Sequence, residues 1–278
     1  MHPFQFTASL FSVALAAGFL GSLTGLGGGV VLTPVLTLLM GVDLRYAIGA
    51  TLVSVIATSS GAASAYVREG FSNVRIGMLL EVATTAGAIV GASIAGYFST
   101  KVLAVIFGLV LLHSAWLSSR RPADREDAAP IDPLAQRLRL DGCYPTAQGP
   151  SCYHVQHVRT GFSLMLGAGL ISGLLGIGSG ALKVIAMDTA MRIPFKVSTT
   201  TSNFMIGVTA AASAGVYLNR GYIDPLLAMP VMLGVLVGSV AGARVMTRTS
   251  SRMLRIVFAA LVGMLAVQMI IGGLRGRI

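Results

Sequence analysis

A glycine-rich stretch that occurs twice constrains this chain more than any other feature. The first copy reads Gly-Leu-Gly-Gly-Gly at residues 25–29, and the second, 151 residues later, reads Gly-Ile-Gly-Ser-Gly at residues 176–180. Each copy interrupts an apolar sequence and precedes only about a dozen helix-compatible residues, whereas a helix that spans a bilayer needs about 20. We therefore predict a break inside the membrane at each stretch, where a half-helix begins and its free backbone N–H groups point into a cavity.

The composition identifies the class of protein. Hydrophobic residues make up 54% of the 278 residues and charged residues only 11%, compared with about 25% charged residues in soluble domains. Such a chain is a polytopic membrane protein. The net charge of +10 therefore reflects basic loop residues that orient the chain, and we predict no nucleic-acid partner. The expected partners are membrane lipid and a small anionic substrate, and the sequence is silent on oligomeric state.

Ten apolar segments repeat the same order in two halves. A polar linker, residues 118–160, separates a first transmembrane repeat, residues 1–117, from a second, residues 161–278. An offset of 151 residues aligns 11–107 with 162–258 without a gap, and it matches glycines and tyrosines such as Gly87 with Gly238 and Tyr66 with Tyr217. The sequence therefore predicts an internal duplication.

The distribution of Lys and Arg indicates how the two halves are oriented. If the first two segments of each half form a re-entrant hairpin or two crossings, one side of the membrane holds fourteen of these residues and the other side five. If they form one broken crossing, the halves are parallel and the split is eleven to eight. Because cytoplasmic loops are rich in Lys and Arg, we predict the first arrangement, with the linker in the cytoplasm and both termini outside. The predicted fold class is all-α, a polytopic membrane protein with two inverted repeats, each a broken or re-entrant helix hairpin plus three transmembrane helices.

The two breaks are candidates for an anion site inside the membrane. The N-terminus of a half-helix offers unpaired N–H groups and a dipole equivalent to about half a positive charge, and glycine lets these groups approach a ligand closely. Hydroxyl and amide side chains of the segments that follow would add donors. The predicted substrate-binding residues are Gly27, Gly28, Gly29, Thr51, Ser54, Gly178, Ser179, Gly180, Lys183, Ser202 and Asn203.

Three ionisable residues inside the apolar segments need an explanation. Lys183 stands where the first half has Leu32, and because a charge at this depth is costly we predict a role in anion binding. The alternatives for Lys183 are snorkelling to the surface or pairing with Asp188. Glu81 could carry a coupling proton, but its place near Arg75 favours a solvated side chain at the cytoplasmic interface. For residues 198–201 we favour hydrogen bonds within and between helices over a functional role.

The linker holds Cys143, Cys152, His154 and His157 close together. Their spacing matches no reliable zinc pattern, so we predict no metal site, although one is conceivable. We expect no disulfide framework, and in the cytoplasm the two thiols should stay reduced. The Pro and Gly content of the linker predicts loops and a short hairpin.

These motifs resemble the sulfite exporter TauE/SafE family. In the first half the resemblance rests on residues 25–29 with Pro34 and on Gly-Ala-Thr at 49–51, and in the second on residues 172–180, Lys183-Val184 and 196–204. It covers nearly the whole chain apart from the linker, although Ser179 replaces a glycine of the first motif and Ile185 stands opposite Pro34. The resemblance implies a transporter or exporter in a bacterial inner membrane for a small sulfur-containing anion, namely sulfite, thiosulfate or a sulfonate such as sulfoacetate.

Two other functions remain as alternatives. A cation or metal-ion transporter of the inner membrane would need convergent carboxylate, imidazole or thiol groups, and only Asp188 and Glu81 are available within the segments. A membrane-embedded enzyme would need a nucleophile, a base and an orienting residue, and His113 lies near a segment end. We therefore predict that the protein is not an enzyme and binds no cofactor.

Overall fold

The computed structural model describes residues 3–23, 28–68, 70–119, 132–146, 149–246 and 251–276. These residues form eleven helices and one small antiparallel sheet. The elements are α1 (Pro3–Leu23), α2 (Gly29–Met40), α3 (Leu44–Arg68), α4 (Val74–Ala95), α5 (Thr100–Ser119), α6 (Pro133–Arg137), β1 (Gly142–Thr146), β2 (Gly149–Tyr153), α7 (Val158–Leu175), α8 (Gly180–Ile185) with a π-helical turn (Ala186–Ala190), α9 (Phe195–Asn219), α10 (Pro225–Met246) and α11 (Ser251–Leu274). The described residues are thus mostly helical, as predicted, and the strands among them lie in the linker.

The second glycine stretch breaks the helix as predicted. Helix α7 ends at Leu175, α8 begins at Gly180, and the helical path continues only to Ala190. In the first half α1 ends at Leu23 and α2 is confined to Gly29–Met40. Residues 24–27, which include the predicted Gly27, lie outside the described residues. Both helices that follow the breaks are shorter than the roughly 20 residues that a bilayer crossing requires.

Several helices are suited to a membrane. By length and composition, three described helices are long and apolar enough to cross one: Val74–Ala95, Val158–Leu175 and Pro225–Gly242. The outward face of α4 is apolar, because Met78 is 62% and Val82 65% exposed. Apolar side chains in such positions are favourable in lipid and not in water, which fits a membrane protein.

Helices of one half pack against helices of the other. Helix α1 packs on α10, α4 on α7, α5 on α11 and α3 on α9. A Cβ atom added to Gly169 would overlap the backbone of Thr84, and one added to Gly18 would overlap the backbone of Val235. Because Gly18 corresponds to Gly169 and Thr84 to Val235 in the 151-residue offset, the same close contact occurs at equivalent positions of the two halves.

The loops at one end of the molecule meet around Arg45, and we call this the Arg45 end. The guanidinium of Arg45 donates to the carbonyl of Phe98 and to the hydroxyl of Tyr222, each at 3.0 Å. These contacts join the α2–α3, α4–α5 and α9–α10 connections. Lys101 lies beside Gly276 after α11 at the same end.

The linker and the α3–α4 and α8–α9 connections form the opposite end, which we call the linker end. Asn73 donates to the carbonyl of Leu140 and to the hydroxyl of Tyr153, each at 2.9 Å. The backbone N–H of Gln156 donates to the carbonyl of Met191 at 3.1 Å. The linker is therefore held against the helix ends through specific hydrogen bonds.

Asp132 holds the linker to the start of α7. Its carboxylate accepts hydrogen bonds from the backbone N–H groups of Leu134, at 2.8 Å, and Val158, at 2.9 Å. The bond from Val158 is the main reason that the pKa of Asp132 lies below its usual value. Because the folded-state pKa is lowered, this contribution to stability is present at neutral pH and is lost as the pH falls through that pKa.

The linker hairpin corrects the expectation of free thiols. In the antiparallel pair of β1 and β2, Cys143 lies opposite Cys152, and the two residues form a disulfide bond. The expectation of reduced thiols is therefore wrong for this structure, because the strand register brings together two sulfurs whose spacing in sequence gave no such indication. Bridged sulfurs are not available to a metal, and no group of three His, Cys, Asp or Glu among the described residues could hold one.

Candidate functional site

A lysine, a threonine and a glutamate from three helices meet in the interior of the molecule. The Nζ atom of Lys183 on α8 donates to Oγ1 of Thr209 on α9 at 2.5 Å. That hydroxyl donates to Oε1 of Glu81 on α4 at 2.6 Å. The Nζ atom also lies 3.7 Å from Oε2 of Glu81, so the two charges form an ion pair. We call these three residues the Lys183 cluster.

The Lys183 cluster is sealed from solvent. Lys183 and Thr209 are 0% exposed, and Glu81 is 7% exposed. Burying a charge is costly unless it is paired and hydrogen-bonded, and removing one partner of such a pair typically costs about 3–5 kcal/mol. Burying this ion pair therefore costs free energy of desolvation that an apolar contact in the same place would not. Such a pair inside a membrane protein is a candidate for a functional site.

Glu81 is buried, which contradicts the prediction of a solvated side chain beside Arg75. Its carboxylate is buried and accepts hydrogen bonds from Thr84, at 3.0 Å, and Thr85, at 2.9 Å, as well as from Thr209. Arg75, the neighbour expected to share its solvated environment, instead donates to the carbonyl of Arg139 in the linker. The sequence signal was a single carboxylate inside an apolar helix, but the partner helices that enclose it are distant in sequence.

The two charges of the cluster have uncharged residues at the positions 151 residues away. The residue that corresponds to Lys183 is Leu32, and the residue that corresponds to Glu81 is Met232. Thr209 does have a counterpart, Thr58, but its hydroxyl bonds to the carbonyl of Val55 in its own helix. A function that needs charge at this depth is therefore concentrated at one of the two equivalent positions.

The backbone of the second glycine stretch leaves the helical conformation before Lys183. Gly176, Gly178 and Ser179 have φ values of 64°, 68° and 47°. This left-handed conformation costs residues other than glycine roughly 1–2 kcal/mol, so Ser179 is strained. The hydroxyl of Ser179 is buried and has no hydrogen-bond partner among the described residues. The break thus presents both strained backbone and an unsatisfied polar group about one turn from Lys183.

The first glycine stretch lies beside the second. A Cβ atom added to Gly29 would lie 3.4 Å from the carbonyl oxygen of Ile177 and 3.0 Å from the Thr51 side chain. Gly28 immediately precedes α2 and accepts the backbone hydrogen bonds of its first turn. The structure therefore brings the start of α2 at Gly29 close to Ile177 of the second stretch, which is far away in sequence.

The remaining predicted residues have separate environments. Thr51 accepts a hydrogen bond from Thr33 at 2.9 Å, and the Ser54 hydroxyl bonds to the carbonyl of Ala50 in its own helix. Ser202 donates to the carbonyl of Gly180 at 3.1 Å and so joins α9 to the start of α8. Asn203 is buried, and its amide makes no hydrogen bond within the described part of the chain.

The α3–α4 loop closes the linker end over the helices that carry the cluster. Thr200 donates to the carbonyl of Phe71 at 2.9 Å, and Thr201 accepts from the backbone N–H of Asn73 at 3.0 Å. A cleft of about 310 Å³ lies outside this closure, between the loop and the hairpin, and includes Cys143 and Tyr153 in its lining.

Comparison with known proteins identifies a family. A sequence model of the family described as sulfite exporter TauE/SafE matches residues 10–269. The probable membrane transporter protein YunE of Bacillus subtilis is 29% identical over 89% of this chain and 93% of its own length. YdhB of the same organism, also described as a probable membrane transporter protein, is 24% identical over 84% of this chain and 86% of its own. A probable membrane transporter protein of Xylella fastidiosa is 27% identical over 91% of this chain and 90% of its own. No solved structure matches the chain.

Proposed function

The chain belongs to the sulfite exporter TauE/SafE family of membrane transporters, and we propose that it carries a small sulfur-containing anion by alternating access. The substrate class that we propose is sulfite, thiosulfate or a sulfonate such as sulfoacetate. The observation that carries this proposal is the fully buried ammonium of Lys183 beside the broken helix at residues 176–180. A desolvated cation of this kind stabilises an anion far more than an exposed lysine does.

Backbone groups would complete the site. The N-terminus of α2, a helix of twelve residues, adds the positive end of a helix dipole and N–H groups that lack an intrahelical partner. Gly28 and Gly29 let an anion approach those groups, and Gly178, Ser179 and Gly180 offer the second set. Asn203 would supply a side-chain donor, and Ser202 would do so after releasing its hydrogen bond to the carbonyl of Gly180. Thr51 and Ser54 already bond to protein oxygens, so their contribution would require a change of partner.

We propose further that the two halves form an inverted repeat. The packing of Gly234 against Phe11 and of Gly238 against Leu15 supports a parallel course for α1 and α10. Helix α10 begins at the Arg45 end, so α1 begins there too, and the α1–α2 hairpin returns there at residue 41. The α7–α8 hairpin begins and ends at the linker end, where Gln156 bonds to Met191. Opposite hairpins with adjacent breaks match the recurring plan of transporters with a central binding site.

We propose that the linker end faces the cytoplasm of the inner membrane and that both termini lie outside. Fourteen Lys and Arg residues belong to that side and five to the other, which is the asymmetry of the positive-inside rule. The Cys143–Cys152 disulfide favours the opposite orientation, because disulfides persist in oxidising compartments. We give more weight to the basic residues, which are spread over loops of the whole chain, whereas one exposed disulfide can also form transiently in the cytoplasm.

Cysteine labelling on intact cells tests this orientation. We expect a membrane-impermeant maleimide to leave Cys143 and Cys152 unlabelled even after treatment with an impermeant phosphine reductant, because both lie on the inner side. After permeabilisation and reduction, both should be labelled. The control is Ser99→Cys in a Cys143→Ser/Cys152→Ser background, since Ser99 is exposed at the Arg45 end and should react on intact cells. Labelling of Cys143 on intact cells that depends on the reductant would reverse the orientation.

Binding and flux measurements test the function itself. Purified protein is titrated with sulfite, thiosulfate, sulfoacetate, sulfate and divalent metal ions, and an anion that binds is then tested for uptake into sealed vesicles. We expect saturable binding and uptake of at least one sulfur-containing anion. Binding of a metal ion and of no anion would favour a cation transporter, and product formation without translocation would favour an enzyme.

A further inference from the structure

The Lys183 cluster holds one positive and one negative side chain inside the membrane. The ion pair joins Nζ of Lys183 to Oε2 of Glu81 at 3.7 Å, and Thr209 bridges the two groups. With both groups ionised, the cluster is neutral overall. A bound anion would therefore compete with Glu81 for the same ammonium group and would add a second negative charge beside it.

Two negative charges around one lysine are unfavourable in a site without water. Lys183 and Thr209 are fully buried, so the repulsion between an anion and the carboxylate is weakly screened. When two anionic groups share such a site, their repulsion disfavours the charged form of the titratable group, which then takes up a proton. Glu81 can do this, whereas thiosulfate and sulfonates, which are anions of strong acids, do not take up a proton near neutral pH.

The surroundings of Glu81 can stabilise its neutral form as well as its charged form. Three hydroxyl groups, those of Thr84, Thr85 and Thr209, lie within 3.0 Å of its oxygens. A hydroxyl both donates and accepts hydrogen bonds. A protonated carboxyl group can therefore donate to one of these hydroxyls, while another donates to its carbonyl oxygen, and no buried polar atom loses its partner.

The other charged residues on the elements packed against α4 belong mainly to helix ends. Arg159 is the second residue of α7 and Lys196 the second residue of α9, and both are exposed. Arg220, which follows α9, donates to the carbonyls of Ala92 and Ser93. Asp188 lies on the π-helical turn after α8 and makes contacts of its own. Within the described ranges, Lys183 is the cation that forms an ion pair with Glu81.

We infer that Glu81 takes up one proton from solution when the anion binds at Lys183, so that the anion and a proton are carried through the membrane together. This inference rests on the proposed anion site and adds the coupling ion to it. The proton bonds to the carboxylate, and the anion replaces Glu81 as the partner of the ammonium. When the anion leaves, Glu81 releases its proton on the same side of the membrane, and the ion pair forms again. The direction of transport then follows the combined gradients of anion and proton.

Calorimetry of the purified protein in buffers with different ionisation enthalpies measures this proton directly. The probe is thiosulfate, which stays fully ionised between pH 6 and pH 9 and takes up no proton itself, or a simple alkyl sulfonate if thiosulfate does not bind. We expect uptake of about one proton per bound anion over the range in which Glu81 is ionised in the free protein. By linkage, the affinity for the anion should then fall about tenfold for each unit by which the pH rises over this range.

Two variants distinguish coupling from a structural role of Glu81. Glu81→Gln should bind the anion without proton uptake and with an affinity independent of pH, whereas Glu81→Asp, which keeps a carboxylate, should retain the uptake. If the wild-type protein binds the anion without taking up a proton, the inference is wrong while the anion site stands, and this measurement needs no variant to fold. Proton uptake that persists in Glu81→Gln would also contradict it. If no anion binds at all, the proposed function fails and the coupling with it.

Discussion

Lys183→Met is expected to reduce the affinity for the transported anion by roughly 10- to 150-fold, because a hydrogen bond to a charged group contributes about 1.5–3 kcal/mol. The variant removes the buried ammonium at the centre of the cluster and replaces it with an apolar side chain of similar length. Uptake into vesicles should fall in parallel. Isothermal titration of the purified variant and vesicle flux measure the two effects.

A paired variant separates loss of binding from loss of folding. Lys183→Met leaves Glu81 buried without its cation, which by itself is destabilising. Lys183→Met/Glu81→Gln removes both charges and should recover much of the melting temperature but not the anion binding. Lys196→Met, at an exposed lysine on α9, is the matched control and should bind normally. Wild-type affinity in the double variant would remove Lys183 from the binding site.

Gly169→Val is expected to lower the melting temperature by about 5–10 °C, because overpacking costs about 1–3 kcal/mol and more where backbone atoms obstruct. A Cβ atom at Gly169 would overlap the backbone of Thr84 and force α7 away from α4. Helix α7 is followed by α8, which carries Lys183, and α4 carries Glu81. Separation of α7 from α4 should therefore disrupt the Lys183 cluster as well. Thermal unfolding followed by tryptophan fluorescence measures the change.

The control for this variant lies two residues away in the same helix. Gly167 is exposed, and a Cβ atom added there would meet nothing within 4 Å. Gly167→Val therefore makes the same chemical change toward lipid and should shift the melting temperature little. Equal losses for the two variants would mean that the close contact between α4 and α7 is absent in the folded protein.

The sequence was sufficient to predict the second break and to single out Lys183 as a charged residue inside an apolar segment, for reasons that are local. Glycines at 176 and 178 interrupt an apolar helix, and the residues that follow are too few to cross a bilayer. Lys183 was identified because a charge at that depth is costly whatever its partner is. The alignment of the two halves at an offset of 151 residues could also be found from the sequence. The glycines that match in this alignment are positions where helices of the two halves pack closely.

Glu81 and the cysteine pair depended on information that the local sequence does not contain. Whether Glu81 is solvated or buried is decided by the packing of α4 against α7 and α9, which are separated from it by the linker. The disulfide required the hairpin register that places Cys143 opposite Cys152. In both cases the sequence shows the residue type but not its partner, because tertiary structure determines which residue the partner is.

The most direct test of the binding site is a cryo-electron microscopy map of the purified protein with saturating thiosulfate or another sulfur-containing anion that binds in titration. We predict density for the anion within hydrogen-bonding distance of Nζ of Lys183 and between the start of α2 at Gly28–Gly29 and the break at residues 176–180. Density elsewhere, for example in the cleft between the α3–α4 loop and the linker hairpin, or continuous helices through the glycine stretches, would contradict the proposed site.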